Sequence, residues 1–577
     1  MMSNPARSRT CVWIALLLAW GLAGHEVSLA TETSGVRFEV TYPSSASSKP
    51  ITGRLFLMIS RRNEPEVRLQ STWFNSPQIV AIDVRNLKPG ERATIDGAAV
   101  GTPLRSLDDL SSGQYYAQAV MNLYTEFRRA DGRVVWAHMD QWEGQQFNTS
   151  PGNLYSPATP VSLDPKRGNI VQLTLSEVIP PARPLVDTEW INYVKIQSPT
   201  LTRFWGRPIY IGAIVLLPRD YARQRGMRYP AIYFQRGHFS LANPFGFRTD
   251  EPPPESEAAR KERESAGYET GYEFQKTWRS DNFPRMIAIS LLDPTPFADW
   301  SGGVNSVNNG PYADAIMKEL IPHIEERFRI VREPYARVLT GNASGGRAAL
   351  AFQLQQPDFF GGAWIFQPWP FNFRHYSTLD IYNSDNAFTI APSALPGWAR
   401  PVAEWIDTPR YIGRIADGTP FVTFQQLSQH DAVMAGMAAG DPIGADDAIL
   451  GPMGPDGYPE PLWDRTTGKI NRAAAEYWRN GDLAEYAVQN WGAIGPKLVD
   501  KLHFYAGERD HFYRNEGVHA LENSLRATGL PLYGTTFEYA ADRSDWQPMT
   551  NGELVRIMAA HVAKNAPANA NRKWLDE

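Results

Sequence analysis

From about Tyr210 onward, short and continuously apolar runs alternate with helix-length stretches, and this pattern narrows the possible folds more than any other feature of the chain. A strand that is apolar on both faces must be covered on both faces, which is how strands of a parallel sheet wrapped by helices read. The runs are "YIGAIVLLP", "YPAIYFQRG", "RMIAISLL", "ARVLTG", "GGAWIFQP", "LHFYAG" and "TTFEYA". Between the third and fourth, "GPYADAIMKELIPHIEERFRI" repeats Ile316, Leu320, Ile324 and Phe328 along one helical face. The fold class predicted is α/β, a doubly wound sheet with helices on both sides.

The preceding segment follows a different rule. "VRFEVTY", "GRLFLMIS", "QIVAIDV", "YYAQAVMNLYTEF" and "NIVQLTLSEV" alternate apolar and polar residues between Gly, Pro, Asn and Asp turns. Residues 31–178 therefore read as a β-sandwich-like domain, 179–190 as a Pro-rich linker, and 191–577 as the α/β domain. Within the latter, a stretch rich in Gly, Pro and Trp at about 385–496 reads as an inserted cap over the C-terminal edge of the sheet, where such folds bind ligands.

"VLTGNASGGRAAL", Val338 to Leu350, runs from strand through a glycine-rich turn into a helix. Its spacing is that of a nucleophile elbow, Gly-x-Ser-x-Gly, in which residues two before and two after the nucleophile must be small so that the backbones can pass. Centred on Ala343 the flanks are Gly341 and Gly345; centred on Ser344 they are Asn342 and Gly346. The spacing favours Ala343 at the apex, and a methyl group cannot attack a carbonyl. Ser344 would then offer its backbone N–H to an oxyanion hole, with a second donor near Gly237 and His238 after "YFQRG".

In such a site the acid and then the histidine follow the nucleophile along the chain. "LHFYAGERD" supplies Asp510 at the first place. The second, "ADRSDWQPM", holds no histidine, and His561 beyond it lies in a helical pattern. His511, beside Asp510, is the one other loop candidate for a base. An alcohol without such a base is a poor nucleophile.

The stretch from Tyr229 to Pro370, together with "LHFYAGERDHFYRNEGVHALENSL", resembles the secreted esterases of the esterase D and enterochelin-esterase type within the α/β-hydrolase superfamily. "HMDQWEGQQFNTSPGNLYS", "GPDGYPEPLWDRTTGKI" and "AEYWRNGDLAEYA" extend the likeness to a branch that carries the β domain as well. The resemblance implies a serine esterase site in which the nucleophile falls on Ala343, the acid on Asp510 and the histidine on Ser544, two residues before Trp546. Nucleophile and base would both be lost. The expectation is a pseudoenzyme that binds a ligand or partner; the alternative is an active carboxylic-ester hydrolase using Ser344 with Asp510 and His511 or His238.

Arg7 and Arg9, the apolar run "VWIALLLAWGLAG" and Ala30 read as an export signal over residues 1–30, which predicts a secreted or periplasmic protein with no membrane attachment after cleavage. Cys11, the single cysteine, falls inside that signal, so the mature chain would hold no thiol ligand or nucleophile. No metal-spaced cluster, phosphate loop or dinucleotide fingerprint is present in the sequence, so neither metal nor cofactor is expected. A net charge of −5 gives no reason to expect nucleic acid. Aromatic residues make up 12% of the chain, with 18 Trp, which suits a small-molecule ester, a glycan or an aromatic ligand. "VNSVNNGPYADA" adds Asn308 and Tyr312 as candidate ligand contacts or helix-capping groups. Asp299 and Trp300 are placed along the same cleft, and Trp369, Phe371 and Phe373 as its apolar wall or as core. The oligomeric state is left open.

Overall fold

The computed structural model describes residues 35–71, 76–140, 142–143, 145–235, 237, 241–391, 408–415, 417–435 and 443–575. The export signal and His238 lie outside the described residues.

Residues 36–178 form two facing sheets. Val36–Thr41 pairs in parallel with Asn169–Thr174 and antiparallel with Ala93–Ile95. The larger sheet is built around Gly113–Arg128, Ile51–Ser60 and Gln78–Leu87, all antiparallel. The alternation read in the sequence has a simple cause: Phe38 and Val40 from one sheet pack on Leu55, Leu57 and Met121 from the other. The opposite face of the larger sheet carries Phe56, Met58 and Val120, which are covered by Val433 from the insert.

Residues 179–190 contain no helix or strand. The main sheet then comprises β1 (Ile191–Gln197), β2 (Tyr210–Leu216), β3 (Ala231–Gln235), β4 (Ile287–Leu292), β5 (Arg337–Asn342), β6 (Gly362–Phe366), β7 (Leu502–Gly507) and β8 (Thr536–Ala540). Their spatial order is β1-β2-β4-β3-β5-β6-β7-β8. Only β2 runs against its neighbours. The seven apolar runs are β2 to β8, so the doubly wound sheet expected from the sequence is present. β1 is an edge strand whose polar outer positions, including Lys195, give it no continuous apolar run.

The helical segment Tyr312–Arg327 buries Ile316, Leu320 and Ile324 as its periodicity requires. Its middle, Ile316–Leu320, is wound as a π-helix, with Ile321 N–H reaching back to Ile316 O. Pro322 has no N–H to donate, and the wider turn accommodates that missing bond. At the segment's end Glu325 accepts from Arg337 at 2.6 and 3.0 Å and from the Tyr233 phenol at 3.0 Å. This buried ion pair fixes the start of β5, the strand that leads into the elbow.

Candidate active site

β5 enters a tight turn and leaves as the elbow helix, Ser344–Gln355. Ala343 occupies the apex with φ 51° and ψ −120°, a backbone conformation that costs a residue bearing a Cβ about 1–3 kcal/mol. The strained peptide is held from both sides. Ala343 N–H donates to Phe366 O at 3.0 Å, and Ala343 O accepts from Arg347 N at 3.0 Å and Trp369 N at 3.1 Å. A Cβ at Gly341 would lie 2.4 Å from the Gly345 carbonyl, and one at Gly346 would lie 2.8 Å from Phe366 O. Gly341 and Gly345, two residues either side of Ala343, are therefore in backbone contact, as the elbow register centred there demands, and Gly346 is crowded as well. Asn342 has room for its side chain, which donates to the Tyr268 phenol at 2.7 Å.

Ser344 is the first residue of the elbow helix and is buried. Gly237, at φ +81°, is packed so closely that a Cβ on it would fall 2.6 Å from Ser344 Cβ and 3.0 Å from Gly345 N. The loop after β3 thus lies against the first turn of the helix, where backbone N–H groups have no intrahelical acceptor. Together these groups have the makings of an anion-holding corner.

Asp510, in the loop after β7, is fully buried. Its Oδ1 accepts from Phe512 N and Arg514 N at 2.9 Å each. Arg514 Nε lies 2.9 Å from both carboxylate oxygens, and its Nη2 reaches Oδ2 at 2.9 Å and also the Asp545 carboxylate. Burial works to lower the Arg514 pKa, but the charges of Asp510 and Asp545 outweigh it and hold the group above the ordinary arginine range. Asp545 belongs to the loop that in an active site would deliver the histidine. That loop is laid on the end of β7: Arg509 N donates to Arg543 O at 2.8 Å, and a Cβ on Gly507 would meet Ser544 O. The Tyr268 phenol completes the cluster. Burial first, and then the Asp545 charge, raise its pKa, so it stays protonated.

Two of the histidines weighed as bases, His511 and His561, lie among the described residues. His511 gives its backbone carbonyl to Arg414 N at 2.8 Å. His561 Nε2 is 2.9 Å from Gly361 O and its ring meets Trp364 edge-on, at the opposite end of β6 from the elbow. Among the described residues no histidine side chain is hydrogen-bonded to Ser344.

The remaining candidates are accounted for by packing. Asn308 is fully buried and donates to the carbonyls of Gly451 at 2.9 Å and Asp447 at 3.3 Å, pinning the insert to the loop after β4. Tyr312 is buried and donates to Pro294 O at 2.7 Å. These contacts use the Asn308 Nδ2 and the Tyr312 phenol, while Asn308 Oδ1 is buried without a partner among the described residues; neither side chain caps the helix, whose first residue is Tyr312 itself after an uncapped Pro311. Asp299, Trp300, Trp369, Phe371 and Phe373 are likewise buried. The insert does reach the catalytic edge: Arg414 donates to Asp510 O at 2.9 Å and Glu508 O at 2.8 Å. It also grips the β domain, where Arg54 donates to Val433 O at 2.7 Å and Ala432 O at 2.9 Å.

Sequence reasoning missed Arg514, Asp545, Tyr268 and Asn342 as a group. The four-residue spacing of Asp510 and Arg514 was a legible signal for an ion pair; Tyr268, more than 240 residues away, offered none. Among the described residues no group of three or more His, Asp or Glu is arranged to hold a metal.

Comparison with known proteins bears on this geometry. Residues 299–505, from the loop after β4 into β7, match the family described as "Esterase: Putative esterase". A comparison with curated proteins returns no match. Similar solved structures include a ferulic acid esterase (12% identity, 65% of this chain and 94% of that chain, TM-score 0.33). Others are an S-formylglutathione hydrolase from Agrobacterium tumefaciens (12%, 66% and 98%, 0.31) and FphF, a fluorophosphonate-binding serine hydrolase of Staphylococcus aureus (14%, 64% and 98%, 0.30). The matched segment holds β5, the elbow, β6 and most of β7, so residues 299–505 are similar to the esterase family within a doubly wound α/β domain.

Proposed function

We propose that this chain is an exported, non-catalytic member of the esterase family, which binds a ligand or partner where its relatives would cleave an ester. The observation that carries the reading is the residue at the elbow apex: Ala343 stands in the strained turn, and it has no group that can attack a carbonyl. Two further features support it. The loop that would supply an imidazole supplies Ser544 and Asp545, and the Asp510 carboxylate is taken by Arg514. What is left at the elbow is the helix terminus beside Gly237, suited to hold an anionic or carbonyl oxygen without transferring an acyl group. Export rests on the signal-like sequence of residues 1–30.

The test is to treat the purified chain with a fluorophosphonate probe and an activated acetyl ester. No covalent adduct and no hydrolysis above the buffer rate are expected. An adduct mapped to Ser344 by mass spectrometry would overturn the proposal and favour an esterase that works from the first residue of the helix.

A further inference from the structure

The β domain carries a second hollow, formed entirely by its own residues and independent of the elbow. It has a volume of about 460 Å³ and is lined by Thr52, Arg85, Asn86, Leu123, Tyr124 and Trp136, with Pro50 and Ile51 at its border. That volume is within the ~300–1,000 Å³ range of small-molecule sites.

Strand register explains why these residues meet. Tyr124 lies opposite His138 and Glu126 opposite Trp136, so Tyr124 and Trp136 emerge on the same face of the sheet. At the neighbouring strand ends the register slips between Ile51 and Gly53. Gly53 is required there, because a Cβ would fall 1.9 Å from Asn122 O. Asn86 turns the chain at φ 52°, and its N–H is fixed by Thr52 Oγ1 at 3.0 Å. The slipped register and the turn both fall among the residues that line the hollow.

Apart from Thr52, three of its polar side chains have no partner among the described residues. Tyr124 is only 9% exposed, and its phenol forms no hydrogen bond with any described residue. Burial raises its pKa, so it remains a donor. A phenol buried to this degree ordinarily has a partner. Arg85 is exposed and makes no ion pair with any described residue, while the strand acids of the same face, Asp83 and Glu126, are already paired with Arg54 at 2.8 Å and Arg128 at 2.5 Å. The Asn86 carboxamide is also free of described partners. In a chain of net charge −5, the hollow is thus a place with one uncompensated positive charge.

We infer that this hollow binds an acidic glycan, a pyranose chain bearing carboxylates. Arg85 suits a carboxylate, which its planar fork can hold bidentately. Tyr124 and Asn86 suit ring hydroxyls. Trp136 and Leu123 offer an apolar wall for the flat C–H face of a sugar, which a bare inorganic anion would not use. The inference does not rest on the state of the elbow.

The test is titration of the full chain with a galacturonate trimer, followed by tryptophan fluorescence and calorimetry, beside galactotriose and sodium sulfate. Saturable binding of the uronate is expected, weaker by about tenfold or more in Arg85→Gln and undetectable in Trp136→Ala. Tyr124→Phe, which leaves packing intact, is expected to weaken it several-fold. Raising the salt concentration should weaken the uronate more than the neutral trimer. The inference is overturned if the uronate does not bind, if galactotriose binds as tightly, if sulfate alone competes fully, or if Arg85→Gln and Trp136→Ala bind as the parent does while keeping its thermal unfolding.

Discussion

Arg514 Nε lies 2.9 Å from both oxygens of the Asp510 carboxylate, and the same guanidinium bridges to Asp545. A triad acid must instead receive the N–H of an imidazole. Restoring nucleophile and base alone, as Ala343→Ser with Ser544→His, is therefore expected to leave acetyl-ester hydrolysis at the parent level. Adding Arg514→Leu and Asp545→Asn frees Asp510 and is expected to raise turnover by about 10²-fold or more. Activity already present in the two-residue variant would show that Asp510 changes partners readily.

The elbow turn offers a pair of opposite stability changes. Gly341→Ala puts a methyl 2.4 Å from the Gly345 carbonyl, and both atoms are backbone-bound, so unfolding in urea should show a loss of about 2 kcal/mol or more. Ala343→Gly relieves a positive φ at the apex and should gain up to about 1 kcal/mol after its greater chain entropy is counted. A gain from Gly341→Ala would mean that the turn is looser than its contacts indicate.

Arg347, one turn into the elbow helix, is buried; among the described residues Gly302 O at 3.4 Å is its one acceptor, and its Nε and Nη2 have none. Burial lowers its pKa to about 10, with Asp446 and Asp482 supplying distant compensation. Arg347→Met keeps much of the volume and removes an ill-satisfied charge, so thermal unfolding is expected at the parent temperature or above. A drop equivalent to more than about 3 kcal/mol would show the guanidinium to be better compensated than its contacts suggest.

His503 stacks on Trp364 at 4.8 Å, and burial followed by the neighbouring His561 lowers its pKa to about 4. A base with a lowered folded pKa binds fewer protons folded than unfolded, so its share of stability is intact above pH 6.5 and is lost as the pH falls toward 4. The loss relative to His503→Gln should reach at most about 3 kcal/mol. Asp140 works in the opposite direction: burial and Glu143 raise its pKa to about 7, so stability falls as the pH rises from 3.8 to 7. Melting curves of the parent, His503→Gln and Asp140→Asn across pH 4–8 separate the two slopes. Parallel curves for all three would refute both assignments.

The local steric rules of the chain were readable before any contact was known. Continuous apolar runs demanded a sheet covered on both faces, alternating runs a sandwich, and Gly341 and Gly345 a turn whose apex is Ala343. Each depends on residues within a few positions of one another, so sequence by itself determined it. The edge strand Ile191–Gln197 escaped notice because one of its sides faces solvent and dilutes the apolar signal. The π turn at Ile316 follows from Pro322, yet the spacing of its apolar residues still read as an ordinary helix. Only the tertiary structure decided how Asp510 is used, that the Asn308 Nδ2 and the Tyr312 phenol donate to backbone carbonyls, and that Tyr124, Arg85 and Trp136 share one hollow. The physical reason is the same throughout: a side chain's chemistry depends on which donors, acceptors and charges surround it, and those come from strands and loops far apart in the chain.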